Sequence, residues 1–249
     1  MRLADRMVSE GNWLFRNRSY LPLVLLALAI GGMYFNYNHY YHHYRWFELL
    51  CFLISLSGQA IRVISVGYAA DRTSGRNTKA QVADELNTSG IYSLVRNPLY
   101  LGNFLMWLGI AILTEVDWLV AVFCLIYWLY YERIILAEES FLAEKFGAVF
   151  TDYTTRVACF FPVKGKYTPN KYNFRLKKVL RQENPSLFGL ICVFIAIKVM
   201  KDYIYYRAIY LDKLWIIIGL VGLVLYLTLR ALKKLTRVLH NDPMSEKKS

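Results

Sequence analysis

The sequence predicts an all-α, polytopic helical membrane protein with about six transmembrane helices arranged around a central helix hairpin. Three observations predict it. Apolar runs recur at residues 21–35, 46–70, 98–113, 116–137, 186–200 and 214–229. Crossing a hydrocarbon core of about 30 Å takes about 20 residues at about 1.5 Å each, so these runs are near the required length. The 249 residues are 56% hydrophobic and only 19% charged, with a mean hydropathy of +0.28, which departs from the balance of a water-soluble domain. Finally, the period-two alternation of a membrane barrel, the other spanning solution, is absent.

Taken in order, residues 1–19 are polar and basic, with Arg2, Arg6, Arg16 and Arg18. The run 21–35 ends in Gly31-Gly32-Met33 followed by aromatics, where a signal peptide would show a small-residue cleavage site. An uncleaved first span is therefore expected. Residues 36–45 are rich in Tyr and His, as befits the water interface. His39, His42 and His43 have no second ligand cluster at the spacing of a metal site, so no metal is expected.

The second span, 46–70, carries Gly58, Gln59 and Arg62. An intramembrane arginine either faces protein or a cavity or snorkels to the interface, and the sequence leaves both open. Residues 71–87 read as a polar loop with a short helix. The runs 98–113 and 116–137 are joined only by Thr114-Glu115-Val116-Asp117, which forces an antiparallel helix hairpin. An amphipathic helical pattern follows from 138 to 161 and breaks at Pro162. Beyond it lies a basic run with Lys164, Lys166, Lys171, Arg175, Lys177, Lys178 and Arg181, suited to an anionic acceptor or to anionic lipid. The runs 186–200 and 214–229 are the fifth and sixth expected spans, and the tail carries Lys233, Lys234 and Arg237. No internal repeat interrupts what reads as a single integral membrane domain over 1–249.

The net charge is +12. Its distribution puts both termini, the 71–97 loop and the 138–181 region on one side, which the positive-inside rule makes cytoplasmic. A bilayer partner is expected, with no nucleic acid and no obligatory protein partner. Cys51, Cys124, Cys159 and Cys192 read as packing thiols.

The chemistry concentrates in residues 88–147. Arg96 and Asn97 precede Pro98, which restricts the residue before it and sets a helix start there. Amides at that start favour an anionic group, and Gly90 and Gly102 permit close backbone approach. At the other end of the hairpin, Glu138 and Glu139 stand with Glu132 seven residues before Glu139. Charge near a membrane is expensive, so these acids call for a cationic partner: Arg96, Arg133 or a bound cation.

Residues 77–162 resemble the isoprenylcysteine carboxyl methyltransferase superfamily, which includes the phospholipid methyltransferases. The resemblance rests on Gly90-Ile91-Tyr92, then Arg96-Asn97-Pro98-Leu99-Tyr100-Leu101-Gly102, the apolar hairpin, Glu138-Glu139, and Phe146-Gly147 with Phe150 and Tyr153. It implies an S-adenosylmethionine-dependent methyltransferase that releases S-adenosylhomocysteine. By the same resemblance the cofactor pocket would be lined by Asn77, residues 84–87 including Leu86 and Asn87, Gly90, Tyr92, Asn97, Pro98, Leu99, Tyr100 and Glu138. The catalytic groups would be Glu138, Glu139, Arg133 and Arg96. Residues 163–249, the basic segment and two last spans, lie outside the signature.

Two departures bear on the acceptor. Asn97 replaces the family's His and cannot titrate, so no histidine base is expected. Ile134 stands where the prenylcysteine enzymes carry an arginine, and Arg133 is turned from it by about 100°, which argues against a prenylcysteine carboxylate. The expected reaction is O-methylation of an anionic lipid headgroup, phosphate first. The superfamily includes a bacterial methyltransferase of a lipid A phosphate, and an inner-membrane site open to the cytoplasm is implied. Prenylcysteine or phospholipid amine methylation, an NADPH-dependent sterol-type reductase and a non-catalytic lipid-binding protein remain as alternatives.

Overall fold

Each of the six apolar runs falls on a helix of the computed structural model to within two residues, and the structure describes residues 2–36, 44–71, 73, 81–162, 166–239 and 245–246. The helices are α1 (Leu3–Asn17), α2 (Leu21–Phe35), α3 (Arg45–Tyr68), α4 (Pro98–Leu113), α5 (Asp117–Phe146), α6 (Ala148–Arg156), α7 (Leu176–Tyr206) and α8 (Lys213–Leu235), with a 3-10 turn at Gly90–Ser93. The chain is a polytopic helical membrane protein.

Fewer helices meet the length and composition of a span than the six expected. Among the described residues α3, α5 and α8 do, and α1 and α2 do as a pair bent by 82°. The physical reasons differ. Helix α4 has 16 residues, about 24 Å of rise. Helix α7 has 31 residues but carries charge along its length. That charge is neutralised inside the bundle: Lys198 pairs with Glu48, whose other oxygen accepts from Trp215 Nε1 at 2.7 Å. Lys201 donates to Glu115 at 2.5 Å, in the α4–α5 turn. Intramembrane charge is tolerated where it is paired away from lipid.

The N-terminal stretch, expected only to be polar and basic, forms α1. Its Gly11 and Phe15, four residues apart, are buried. A Cβ at Gly11 would stand 2.0 Å from the carbonyl oxygen of Arg133, so α1 lies directly on α5.

Helices α3 and α4 cross as closely. Cβ atoms at Gly58 and Gly102 would meet backbone or side chain of the opposite helix at 2.3 and 2.7 Å. Ser55 Oγ then donates to Met106 O at 2.9 Å across the same seam. Two apolar clusters fill the bundle, one around Phe52, Phe194 and Trp215, the other around Phe123, Tyr127 and Ile134.

Helix α5 runs on past the apolar run 116–137 and past Glu138 and Glu139, continuing two turns to Phe146, so the helical pattern expected from 138 to 161 is divided between α5 and α6. There Gly147, at φ +53°, breaks it and starts α6. Left-handed backbone of this kind favours glycine.

The basic run is partly turned inward. Arg175 and Lys178 are 4% and 2% exposed. Arg175 bonds Asp71 at 2.6 Å and Ala69 O at 2.8 Å, while Lys178 Nζ donates to Ala69 O and Ala70 O at 2.9 and 3.2 Å. These carbonyls follow the end of α3, where a cation complements the helix dipole. The strap 166–175 thereby crosses the loop that leads into α4. Gly90 N donates to Thr168 O at 2.8 Å, and Thr168 N donates to Ser93 Oγ at 2.9 Å.

Candidate functional site

A cavity of about 340 Å³ opens at the end of the bundle where α4 begins and α3 ends. This volume lies within the roughly 300–1,000 Å³ typical of small-molecule sites. Segments far apart in sequence form its wall: the 81–87 loop, Tyr92, the start of α4, the later turns of α5, and α6.

Arg96 is placed by backbone on both sides. Its amide donates to Ala158 O at 2.9 Å. Its guanidinium grips Glu139 through two bonds of 2.9 and 3.1 Å and reaches Thr154 O and Val157 O at 3.1 and 2.6 Å. Burial works against the charge of Arg96, but the bonds to Glu139 more than offset it and raise the guanidinium further above its usual range. Arg96 and Glu139 thus tie α4, α5 and the end of α6 together at the rim. Asn97 Nδ2 extends the same network to Cys159 O at 3.1 Å and Glu139 at 3.4 Å.

Glu138, one position away on α5, is turned by about 100° from Glu139. It also lines the cavity, as Tyr100 does, and makes no salt bridge among the described residues. The adjacent acids therefore have separate surroundings, one neutralised by an arginine and one without such a pair among the described residues. Tyr100 is in turn packed on Tyr131 at 4.7 Å, and Tyr127 donates to Tyr100 O at 2.7 Å.

Tyr92 stands on the 3-10 turn, held by the Tyr153 hydroxyl, which donates to Tyr92 O at 2.6 Å. Its own hydroxyl is buried on the cavity wall with no hydrogen-bond partner. Burial pushes that hydroxyl well above the ordinary tyrosine range, so it stays protonated. An orphaned buried donor of this kind costs about 1–3 kcal/mol unless something pairs with it.

Gly90 and Asn87 serve the loop's shape. Gly90 has φ +61°, and a Cβ there would sit 1.7 Å from Asn170 Oδ1 on the strap. Asn87 lines the cavity while accepting from Ala70 N at 3.0 Å and donating to Thr73 Oγ1 at 2.7 Å. Glu85, also on the wall, is held by Lys171 at 2.7 Å and by the Tyr172 hydroxyl.

Of the residues expected at a site, the cavity wall brings together Leu86, Asn87, Tyr92, Arg96, Asn97, Pro98, Leu99, Tyr100, Glu138 and Glu139. Gly90 supports that wall without lining it. Arg133 does not reach it: Arg133 Nε donates to Glu10 on α1 at 3.1 Å and Nη1 to Leu129 O at 2.9 Å. The physical reason is the rotation along α5, which turns position 133 toward α1. Asn77 and His39, His42 and His43 lie outside the described residues. Among those described, no group of three or more His, Cys, Asp or Glu is placed to hold a metal.

Sequence reasoning missed Phe15 from α1, Arg18 just past its end, Tyr131 from α5, and Gln182 and Glu183 from α7, all on the wall. The polar intramembrane Arg62 was the available signal for the last pair. Its Nε and Nη2 donate to Glu183 at 2.8 Å each, and Nη1 donates to Asn103 Oδ1 at 2.6 Å. It faces protein and cavity; it does not snorkel.

Residues 46–149 match the phospholipid methyltransferase family. Over 151 residues the chain is 31% identical to a cobalt-zinc-cadmium resistance protein of Cupriavidus metallidurans, covering 61% of this chain and 66% of that one. A nickel-cobalt-cadmium resistance protein of Alcaligenes xylosoxydans is 30% identical over 58% of this chain and 62% of its own. A protein-S-isoprenylcysteine O-methyltransferase of Saccharomyces cerevisiae is 31% identical over 45% of this chain and 47% of its own. The chain thus spans somewhat under two thirds of the two resistance proteins. No solved structure matches it.

Proposed function

The chain belongs to the isoprenylcysteine and phospholipid methyltransferase superfamily, and on that premise we propose that it is an integral membrane methyltransferase using S-adenosylmethionine. Its proposed acceptor is the anionic headgroup of a membrane lipid, with a phosphate oxygen as the atom methylated. The proposed setting is a bacterial inner membrane with the site facing the cytoplasm.

One observation carries the reading: Tyr92, residues 97–100 and Glu138, from three separate segments, share one cavity in which the Tyr92 hydroxyl is buried without a partner. The residues fit the cofactor. Glu138, free of any salt bridge among the described residues, suits a cationic amino group. Tyr92 offers a permanently protonated donor, and Phe141, Leu142 and Phe150 supply an apolar wall for a purine and a sulfonium. Bound there, S-adenosylmethionine would supply an electrophilic methyl group.

The work of this chain is then binding, orientation and exclusion of water. A phosphate oxygen is already ionised at neutral pH, so no base has to take a proton from it. That agrees with Asn97, which cannot titrate, standing beside Glu139 in place of a histidine. A second reading, methylation of an amine, is favoured by Glu138, a carboxylate without a salt bridge that is able to accept a proton.

The test is direct. Purified protein titrated with S-adenosylhomocysteine is expected to bind it, and lipid extracts of cells with the gene are expected to show a phosphate-bearing lipid heavier by one methylene. No binding removes the enzyme reading; a gain on an amine lipid selects the second.

A further inference from the structure

A water-soluble cofactor has to enter this cavity from the aqueous end of the bundle, and the wall there differs from the rest. Helices α3, α4, α5, α6 and α7 each supply part of the wall, but residues 81–87 supply theirs as a loop without helix or strand. A loop has no hydrogen-bond ladder of its own, so what fastens it from outside decides where it sits. Walls of packed helix yield far less readily.

The fasteners are of two kinds. At its far end the loop is anchored to the bundle, where Asn87 accepts from Ala70 N at 3.0 Å just past α3. Ahead of that anchor, side chains from other segments hold it down. Lys145 of α5 donates to Ala83 O, and Lys171 of the strap donates to Glu85 Oε1 at 2.7 Å. The Tyr172 hydroxyl donates to the other oxygen of Glu85. The strap has an anchorage of its own. Its backbone is tied to the 3-10 turn through Gly90 N to Thr168 O at 2.8 Å and Thr168 N to Ser93 Oγ at 2.9 Å, and Lys171 N donates to Ser89 Oγ at 3.2 Å. On its outer edge Tyr172 and Glu246 form an antiparallel bridge, and Asn173 N donates to Ser245 O at 3.1 Å. Glu85 is thus a cavity-wall residue that joins the loop to a strap anchored separately.

These contacts suit a closure that opens and recloses. The Lys171 and Glu85 side chains are 46% and 36% exposed, so their pair is weak and screened by salt. Tyr172 is buried, and its bond to a carboxylate is the stronger of the two. We propose that Lys171 and Tyr172 form a latch on Glu85 that gates the exchange of cofactor and product past the 81–87 loop. This rests on the S-adenosylmethionine reading and adds that the strap, outside the matched residues 46–149, controls the exchange. The latch is internal to the protein, because both oxygens of Glu85 are engaged by the strap. It is therefore made alike with the cavity empty or filled, and loosening it opens both states equally. Its signature is kinetic: association and dissociation quicken by one common factor while Kd stays where it was.

The experiment measures association and dissociation rates of S-adenosylhomocysteine by stopped-flow protein fluorescence, using the full chain in detergent micelles. The parent is compared with Lys171→Met and Tyr172→Phe. Lys171→Met is expected to raise both rates about two- to fivefold, and Tyr172→Phe, which keeps the ring, about tenfold, with Kd changed by less than about twofold. Raising the ionic strength from about 0.05 to about 0.5 M should quicken both rates in the parent and leave Lys171→Met unmoved. S-adenosylhomocysteine carries no net charge at neutral pH, so the salt acts on the exposed pair and not on encounter. A merely structural role for the strap would weaken affinity, through slower association or through faster dissociation alone, and either result overturns the proposal. Rates unchanged in both variants, while the parent binds, refute the latch and leave the cofactor reading standing. No binding by the parent refutes the cofactor reading itself and the latch with it.

Discussion

Replacing Glu139 and replacing Glu138 are expected to do different things, although the two are adjacent. Glu139→Ala removes both charge-assisted bonds that hold Arg96, at 2.9 and 3.1 Å, and leaves the guanidinium with Thr154 O and Val157 O. Bonds to charged groups are each worth about 1.5–3 kcal/mol, and stranding a buried charge costs about 3–5 kcal/mol. The side chains of this pair are 14% and 22% exposed, so water recovers part of that loss. A destabilisation of about 2–4 kcal/mol follows. Restoring neutrality in Arg96→Met with Glu139→Ala should recover part of it, giving a coupling of about 1–3 kcal/mol in a double-mutant cycle. Glu138→Gln removes no salt bridge, so its melting temperature is expected to stay near that of the parent while S-adenosylhomocysteine affinity falls at least tenfold. Thermal melts in detergent and calorimetric titrations of the parent, Arg96→Met, Glu139→Ala, their double variant and Glu138→Gln decide it. If Glu139→Ala melts like the parent but loses ligand as Glu138→Gln does, the division of labour between the two acids is wrong.

Three further outcomes follow, two from the same wall and one from the α3–α4 crossing. Tyr153→Phe deletes the 2.6 Å bond to Tyr92 O; a neutral bond is worth about 0.5–1.5 kcal/mol, so affinity for S-adenosylhomocysteine should weaken about two- to tenfold by calorimetry. Gly102→Leu drives a side chain into Arg62 Cγ and Gly58 O, each 2.7 Å from its Cβ, and should cost at least the roughly 1–3 kcal/mol of an overpacked core in a thermal melt. Because burial pushes the Tyr92 hydroxyl above its usual value, the proton is retained as pH rises through about 10, the ordinary tyrosine pKa. The ratio of parent to Tyr92→Phe affinity should therefore stay constant between pH 7 and 10, whatever the ligand's own titration does to both; a loss of the parent's advantage by pH 10 would show an ordinary tyrosine.

What the sequence made legible is what local chemistry determines. Pro98 fixes the start of α4, the four-residue turn fixes the hairpin, and the identities at 92, 96–100 and 138–139 mark one pocket wall. What it hid depends on partners distant in the chain. Nothing local says that Gly11 lets α1 press on α5 and claim Arg133 for Glu10. Nothing local separates a solvated basic run from one whose Arg175 and Lys178 cap α3. Helix α7 was the hardest: Lys198 and Lys201 look like the end of a span until Glu48 and Glu115 are placed against them, and Glu183 looks like surface charge until Arg62 meets it.

The acids and arginines of the bundle are arranged so that almost every charge near the cavity is already satisfied by the protein. Arg96 has Glu139, Arg62 has Glu183, and Glu85 has Lys171. Such pairing is expensive in desolvation and returns little net stability, so its value lies in what it removes from competition. A cationic cofactor entering this space finds Glu138 as the carboxylate without a salt bridge among the described residues. On the phosphate reading Asn97 fits as well: if the acceptor arrives ionised, a titrating group at that position has no proton to move. A histidine placed there by Asn97→His would add a group that titrates near neutral pH beside Glu139. Its expected effect is a new pH dependence between about 6 and 8 without any gain in rate at pH 8. A higher rate would mean that the acceptor arrives protonated, and the amine reading would displace the phosphate one.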